Sequence, residues 1–186
     1  MENKVFEHVM LDLETMGNKS NSVIVSIGAV EFNIETGETG REFYQIIDMQ
    51  SCLDQGLKIN ASTLKWWMQQ IDEVRLELTK DGNHLAQVLG EFRFWLDECI
   101  ENVKIWGNGA RFDIGILEDA YVMCNYHEMP WGFRNEMDLR TLVAFAPEVK
   151  KQVLHNTDGP AHDPIFDCKV QIDYASQIWN KLKIND

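Results

Sequence analysis

Residues 8–48 read HVMLDLETMGNKSNSVIVSIGAVEFNIETGETGREFYQIID, and the architecture follows from how they divide. The opening run, residues 8–13, is short, mostly apolar and closed by a polar turn, as a buried strand should be. Residues 23–33 are rich in Val and Ile, and residues 41–48 alternate well enough to extend a sheet. Between them Glu35-Thr36-Gly37-Glu38 is a hairpin turn signal. Three strands in an antiparallel meander are therefore expected at the start.

The second half changes period. Leu85, Val88, Leu89, Phe92, Trp95, Leu96, Cys99 and Ile100 recur at steps of three and four, which predicts an amphipathic helix. A strand is expected at Val103–Trp106, a helix from Phe112 to Cys124, a strand near Phe133–Met137 and a helix from Asp138 to Phe145. A last helix is expected from Phe166 to Leu182, burying Val170, Tyr174, Ile178 and Trp179. Residues 147–161 read as a long irregular loop leading to His162. Helices alternating with strands after a meander imply an α/β fold, a mixed sheet with helices on its faces. No repeat, low-complexity tract or linker divides the chain, so a single domain over residues 1–186 is expected.

Composition narrows the function classes. The chain has 186 residues, 45% of them hydrophobic, enough for one buried core without disulfides. Cys52, Cys99, Cys124 and Cys168 are scattered and form no C-x-x-C pair, so they read as reduced and structural. No apolar signal region or stretch of about 20 apolar residues is present, which predicts a soluble, cytoplasmic protein away from membranes. The net charge of −13 argues against broad adhesion to a polyanion. It does not exclude a local site where carboxylates hold cations that attract phosphate.

Four acids stand at the ends of core elements. Asp12 and Glu14 are two apart in the first strand, so their side chains project to one side. Burying them beside Met10, Leu11 and Leu13 costs several kcal/mol, in order of magnitude, unless a cation compensates. A strand end whose acids reach solvent is the competing reading. Asp113 follows the turn Gly107-Asn108-Gly109-Ala110 and opens a helix, where the helix dipole alone would favour it. Asp167 opens the last helix, five residues after His162. Asp138 is a simple helix N-cap. His8, His84, His127 and His155 lack partners at metal-ligand spacing and read as structural.

Asp12-x-Glu14-Thr15, Asn108-x-x-x-Phe112-Asp113 and His162-x-x-x-x-Asp167 together resemble the three motifs of the DEDDh 3′-5′ exonuclease superfamily, which includes RNase T and oligoribonuclease. Thr63-x-x-Trp66-Trp67 and Asp138-x-Arg140-Thr141 further resemble a branch with phage and bacterial exonucleases and a mycobacterial exoribonuclease. The chain departs from the commoner pattern at Gly107, where His often precedes Asn108, and at Pro164 and Cys168, where Ala is usual.

The resemblance implies an RNase H-like fold with a five-stranded mixed sheet, and release of nucleoside monophosphates from single-stranded RNA or DNA 3′ ends, with RNA slightly favoured. It implies two Mg²⁺ or Mn²⁺ ions held by Asp12, Glu14, Asp113 and Asp167, with His162 as general base. Hard oxygen ligands suit those ions, and neighbouring cations should depress the His162 pKa. Thr15, Met16, Trp66, Trp67, Asn108, Phe112 and Arg140 are the candidate substrate contacts. Adjacent tryptophans on a helix cannot share a face, so at least one belongs to the core. The resemblance also allows a homodimer. Competing readings are an RNase H-like endonuclease, an HD-type phosphohydrolase suggested by His162-Asp163, and a catalytically idle nucleic-acid-binding module of the same fold.

Overall fold

The computed structural model describes residues 6–97, 102–160 and 162–183. The expected meander is present as strands β1 (His8–Thr15), β2 (Ile24–Phe32) and β3 (Thr39–Ile46), paired antiparallel. Strands β4 (Lys104–Gly107) and β5 (Glu136–Asp138) add in parallel on the other side of β1. The sheet is five-stranded and mixed, in the order β3-β2-β1-β4-β5. A mainly helical HD-type architecture is thereby excluded.

Eight helices surround the sheet among the described residues. Three short ones follow the meander: α1 (Met49–Asp54), α2 (Ala61–Trp67) and α3 (Asp72–Glu77). The others are α4 (Leu85–Asp97), α5 (Asp113–Met123), α6 (Leu139–Ala144), α7 (Pro147–Asn156) and α8 (Pro164–Lys183). Cys99 and Ile100, expected on the helix that became α4, lie outside the described residues.

Strand alternation sorts the core into two layers. Val9, Leu11 and Leu13 of β1 join Ile27 and Ala29 of β2 against Leu85, Leu89 and Phe92 of α4 and Leu117 of α5. Met10, Val30 and Phe32 face Leu139 of α6 and Ile172, Ala175 and Ile178 of α8. Every residue of β2 is buried, because helices cover both sides. Alternation therefore puts Asp12 and Glu14 on the face that α8 covers. Below them on that face, the Trp106 indole donates to His8 Nδ1 at 2.8 Å, a satisfied core histidine. Burial lowers its pKa to about 4, so it stays neutral.

Two expectations need correction. Residues 147–156 of the expected loop form α7, a ten-residue helix. Lys150 and Lys151 made the segment look irregular, yet Pro147 sits at its first turn, where it lacks no useful donor. Val149 and Val153, four apart, form the apolar stripe packed in the same core as α8. The strand expected near Phe133–Met137 is instead a 3₁₀ turn at Phe133–Asn135 followed by the three residues of β5. Gly132, extended before the turn, accepts from the Asn135 N–H at 2.8 Å and closes it.

Helix α8 reaches the sheet through a glycine. A Cβ built on Gly28 would stand 2.4 Å from Pro164 Cβ and 2.9 Å from its carbonyl carbon. No helix is long and apolar enough to cross a membrane among the described residues. Gly28→Ala is expected to cost about 1–3 kcal/mol by overpacking. A chain of this size then loses roughly 2–4 °C of Tm per kcal/mol. An unchanged Tm in calorimetry would show that α8 lifts away freely.

Candidate active site

The site forms where β1 outruns its neighbour. Parallel pairing between β1 and β4 stops at Leu11 opposite Gly107, so the strand edge beyond lacks its next partner. The Asp113 carboxyl takes that place: its Oδ1 accepts from the Leu13 N–H at 3.2 Å. The Asn108 N–H also bonds the same carboxyl. Gly107 permits this approach, since a Cβ there would lie 3.1 Å from both Asp113 Cβ and Oδ2. The departure at Gly107 is thus a matter of space for Asp113.

Asp12 and Glu14 point to the opposite layer, as their spacing predicts, and meet the start of α8. One carboxylate oxygen from each of Asp12, Glu14 and Asp167 lies within 4.8 Å of the others. Asp113 stands outside that trio but close enough for its charge to raise the Asp12 pKa. Asp163 caps α8 by accepting from the Ile165 and Phe166 N–H groups, each at 3.0 Å. With Pro164 opening the helix, the departure from Ala suits a first turn. Cys168 is also accommodated: its buried thiol donates to the Met10 carbonyl at 3.4 Å.

All four acids are harder to ionise than usual. Burial raises Asp12 well above its ordinary value, reinforced by the charges of Asp113, Asp167 and Glu14. Burial pushes Asp113 up to about 7 and Asp167 up to about 6, and it raises Glu14 against the opposing pull of His162. Three buried side-chain oxygens here, Asn108 Oδ1, Asp113 Oδ2 and Gln171 Oε1, accept from no donor. Repelling carboxylates and orphaned oxygen acceptors suit hard divalent cations of the Mg²⁺ or Mn²⁺ type. The donor set fits such ions.

His162 faces this cluster from the loop before α8. Its backbone is left-handed, with φ of 60°, an unusual conformation for a residue with a Cβ. Its Nδ1 is 3.5 Å from Glu14 Oε1. Its ring meets the Trp66 ring edge-on at 4.9 Å between centroids. The Glu14 carboxylate, by hydrogen bonding and by charge, raises the His162 pKa. That is opposite to the depression expected beside cations: the chain's own charges act in the other direction.

The candidate substrate contacts divide. Trp67 is only 1% exposed and donates its indole N–H to the Thr15 carbonyl at 2.9 Å, so it holds β1 and has no free face for a base. Met16 is removed as well, because its side chain is buried and its N–H and carbonyl bond Val23 and Asn60. Thr15 is buried with its hydroxyl donating to the Gly17 carbonyl. Trp66 is 40% exposed, as helix geometry demands once Trp67 turns inward. On the other side of the acids, Phe112 is half-buried beside Asp113, and the Arg140 guanidinium lies over Gly109. Asp138 caps α6 as expected, accepting from the Thr141 N–H at 2.7 Å. It also accepts from Ala110 at 2.7 Å, tying the loop before Asp113 to α6.

The sequence reading missed Gln171, whose amide donates to Asp12 Oδ1 at 2.7 Å. A signal existed. Gln171 stands four residues after Asp167, one helical turn along α8, and a buried amide among Tyr174, Ile178 and their neighbours requires a polar partner.

Comparison with known proteins agrees with this geometry. The sequence pattern of the family described as the 3′-5′ exoribonuclease Rv2179c-like domain matches residues 7–179. An exodeoxyribonuclease of Enterobacteria phage T4 is 24% identical over 193 residues, covering 88% of this chain and 85% of the phage protein. Among solved structures, a complex of E. coli exonuclease I with single-stranded DNA superimposes with a TM-score of 0.69 at 15% identity. That match covers 96% of this chain but 41% of exonuclease I, so the chain spans about two fifths of that protein. A full-length 3′-exonuclease gives a TM-score of 0.65 at 11% identity, covering 96% of this chain and 84% of its own. These likenesses establish the fold.

The acid cluster sets a pH dependence. Asp113 and Asp167 hold their protons up to about 7 and about 6 when folded, against an ordinary 3.8. A carboxyl whose pKa rises on folding contributes stability that is fully present below its unfolded pKa, falls as pH climbs from there, and is gone once pH has passed its folded pKa. With chelator present, the urea midpoint should therefore fall as pH climbs from about 4 to about 7.5. Asp113→Asn should flatten that fall, and Mn²⁺ should raise the midpoint most at the upper end. A midpoint independent of pH in the wild-type chain would contradict the burial described.

Proposed function

On the premise that this chain belongs to the Rv2179c-like 3′-5′ exoribonuclease family and is a 3′-5′ exonuclease, we propose that it trims single-stranded RNA from the 3′ end. In this reading Asp12, Glu14, Asp113 and Asp167 hold two Mg²⁺ or Mn²⁺ ions, and each cycle releases one nucleoside 5′-monophosphate. The observation that carries it is the convergence of Asp12, Glu14 and Asp167 within 4.8 Å, with His162 beside Glu14.

When bound, such ions supply Lewis-acid stabilisation of the charge that builds on the phosphate. The chain supplies the rest. Asp12 is fixed by the Gln171 amide, and Asp113 by the Leu13 N–H, so the carboxylates stand in place before substrate arrives. His162, on a loop between α7 and α8, accepts the proton of the attacking water through an imidazole nitrogen. Its partly exposed position lets it turn from Glu14 towards that water. Trp66 stacks on the terminal base, a contact worth about 1–3 kcal/mol. Thr15 is positioned beside it through its carbonyl bond to Trp67. Phe112 and Asn108 approach the nucleotide from the side of Asp113.

A DNA substrate is the second reading, favoured by the name of the phage relative. Parallel digestion of 5′-labelled single-stranded RNA, single-stranded DNA and duplexes, with Mg²⁺ or Mn²⁺, decides between them. We expect ladders shortened from the 3′ end, with RNA consumed faster. Fragments cut internally, or DNA consumed faster, would refute the corresponding part of the reading.

His162→Ala should lower kcat by about 10²–10⁴-fold, the usual share of general base catalysis. Mn²⁺ binding measured by calorimetry should persist in that variant. Normal turnover would remove His162 from the base role.

A further inference from the structure

We propose that the cleft beside the start of α5 is the track for the sugar-phosphate backbone of the strand upstream of the scissile bond, with Lys19, Arg111 and Arg140 as its phosphate contacts. The inference rests on the exonuclease reading above and extends it to the course of the bound strand.

The cleft has a volume of about 1060 Å³ and runs between the β1–β2 loop, residues 109–112 and Arg140 of α6. Gly109 and Phe112 line it, each next in sequence to Asn108 or Asp113, so the cleft runs beside the turn that carries the acid site. Arg140 lies over Gly109: its Cζ is 3.0 Å from where a Cβ there would stand. Gly109 has φ of +102°, a conformation that favours glycine and leaves the guanidinium lying on bare backbone.

Six other cations are held by carboxylates. Lys80 pairs with Glu77, Lys169 with Glu42 and Arg41 with Glu31. Arg75, Lys181 and Lys183 likewise pair with Asp72, Glu148 and Glu35. Lys19, Arg111 and Arg140 share one cleft and make no close ion pair among the described residues, although the Arg140 charge is felt by Asp138 and Asp113. Two of the nearby acids are already engaged. Asp138 accepts from Ala110 and Thr141, and Glu136 accepts from the Trp131 indole at 3.2 Å. Glu118 and Asp119, on α5 more than one turn beyond Asp113, line the cleft as well, so a strand there is held by the three cations against these two acids.

On a chain of net charge −13, a polyanion needs a local stretch of unpaired cations to bind. The cleft on the other side of His162 does not offer one. It measures about 780 Å³, is floored by Tyr44, Val74 and Phe166, and its two lysines, Lys80 and Lys169, are both paired. Backbone phosphates therefore favour the α5 side.

The test is equilibrium binding of a 5′-labelled ten-nucleotide oligo-U, by fluorescence anisotropy with Ca²⁺, across a range of KCl concentrations. For each cation removed in Lys19→Ala, Arg111→Ala or Arg140→Ala, the slope of log K against log[KCl] should shrink by about 0.7. It should shrink by about 1.4 in the Lys19/Arg111 double variant if the two contacts act independently. Lys151→Ala, on α7, should keep the wild-type slope. Wild-type slopes in Lys19→Ala and Arg111→Ala would overturn the track, as would an equal reduction in Lys151→Ala. Wild-type protein is assayed alongside with Mn²⁺ on the p-nitrophenyl ester of thymidine 5′-monophosphate and on the decamer. If it cleaves neither, the exonuclease reading fails; if it cleaves them while the slopes stay unchanged, the track alone is wrong.

Discussion

Asp12 is buried among like charges, and much of its surroundings serves to hold it there. It is desolvated, and three other carboxylates add to its burden. Left to themselves, like charges in a low dielectric separate or take up protons. Here separation is prevented from three directions. The β2 ladder fixes Asp12 opposite Gly28, the Gln171 amide holds its Oδ1, and the packing of α8 on β2 brings Asp167 in. The energy that would spread the acids apart is instead available to a divalent cation. Stability and ion binding are thus opposite faces of one arrangement, the strained site that folded proteins tolerate where function needs it.

The same logic explains where the acids sit along the sheet. A parallel strand that ended level with β1 would have satisfied the Leu13 N–H with a carbonyl. Because β4 stops at Gly107, a side chain takes over that hydrogen bond, and it carries a charge. Asp113 is therefore both a structural cap on an open strand edge and a member of the site. Its two roles use different oxygens, Oδ1 for the backbone and Oδ2 left without a donor.

Much of this was legible in the sequence, and the reasons differ residue by residue. The i, i+2 spacing of Asp12 and Glu14 in an apolar run fixes their common face, since strand periodicity is strict. The Asp138 cap and the inward turn of one tryptophan follow from equally local rules. Helix α7 was hidden because its apolar stripe is only Val149 and Val153, and two lysines between them resemble a loop. The burial of Met16 and the bond from Gln171 to Asp12 depend on tertiary neighbours 44 and 159 positions away. No local pattern encodes those pairings. Gln171 left a trace only as a polar residue on a buried face.

Gly28 has a consequence for anyone moving this chemistry to another scaffold. It stands opposite Asp12 in the ladder, Pro164 rests on it, and Asp167 follows one helical turn later. These contacts act as a gauge block between sheet and helix, and its thickness is that of a residue without a side chain. A transplanted set of carboxylates on a sheet with alanine at this point would raise the helix by about 1.5 Å, one carbon–carbon bond. Preorganised sites tolerate roughly 0.5 Å. The residue with no functional group therefore sets the tolerance to which the reactive ones are built.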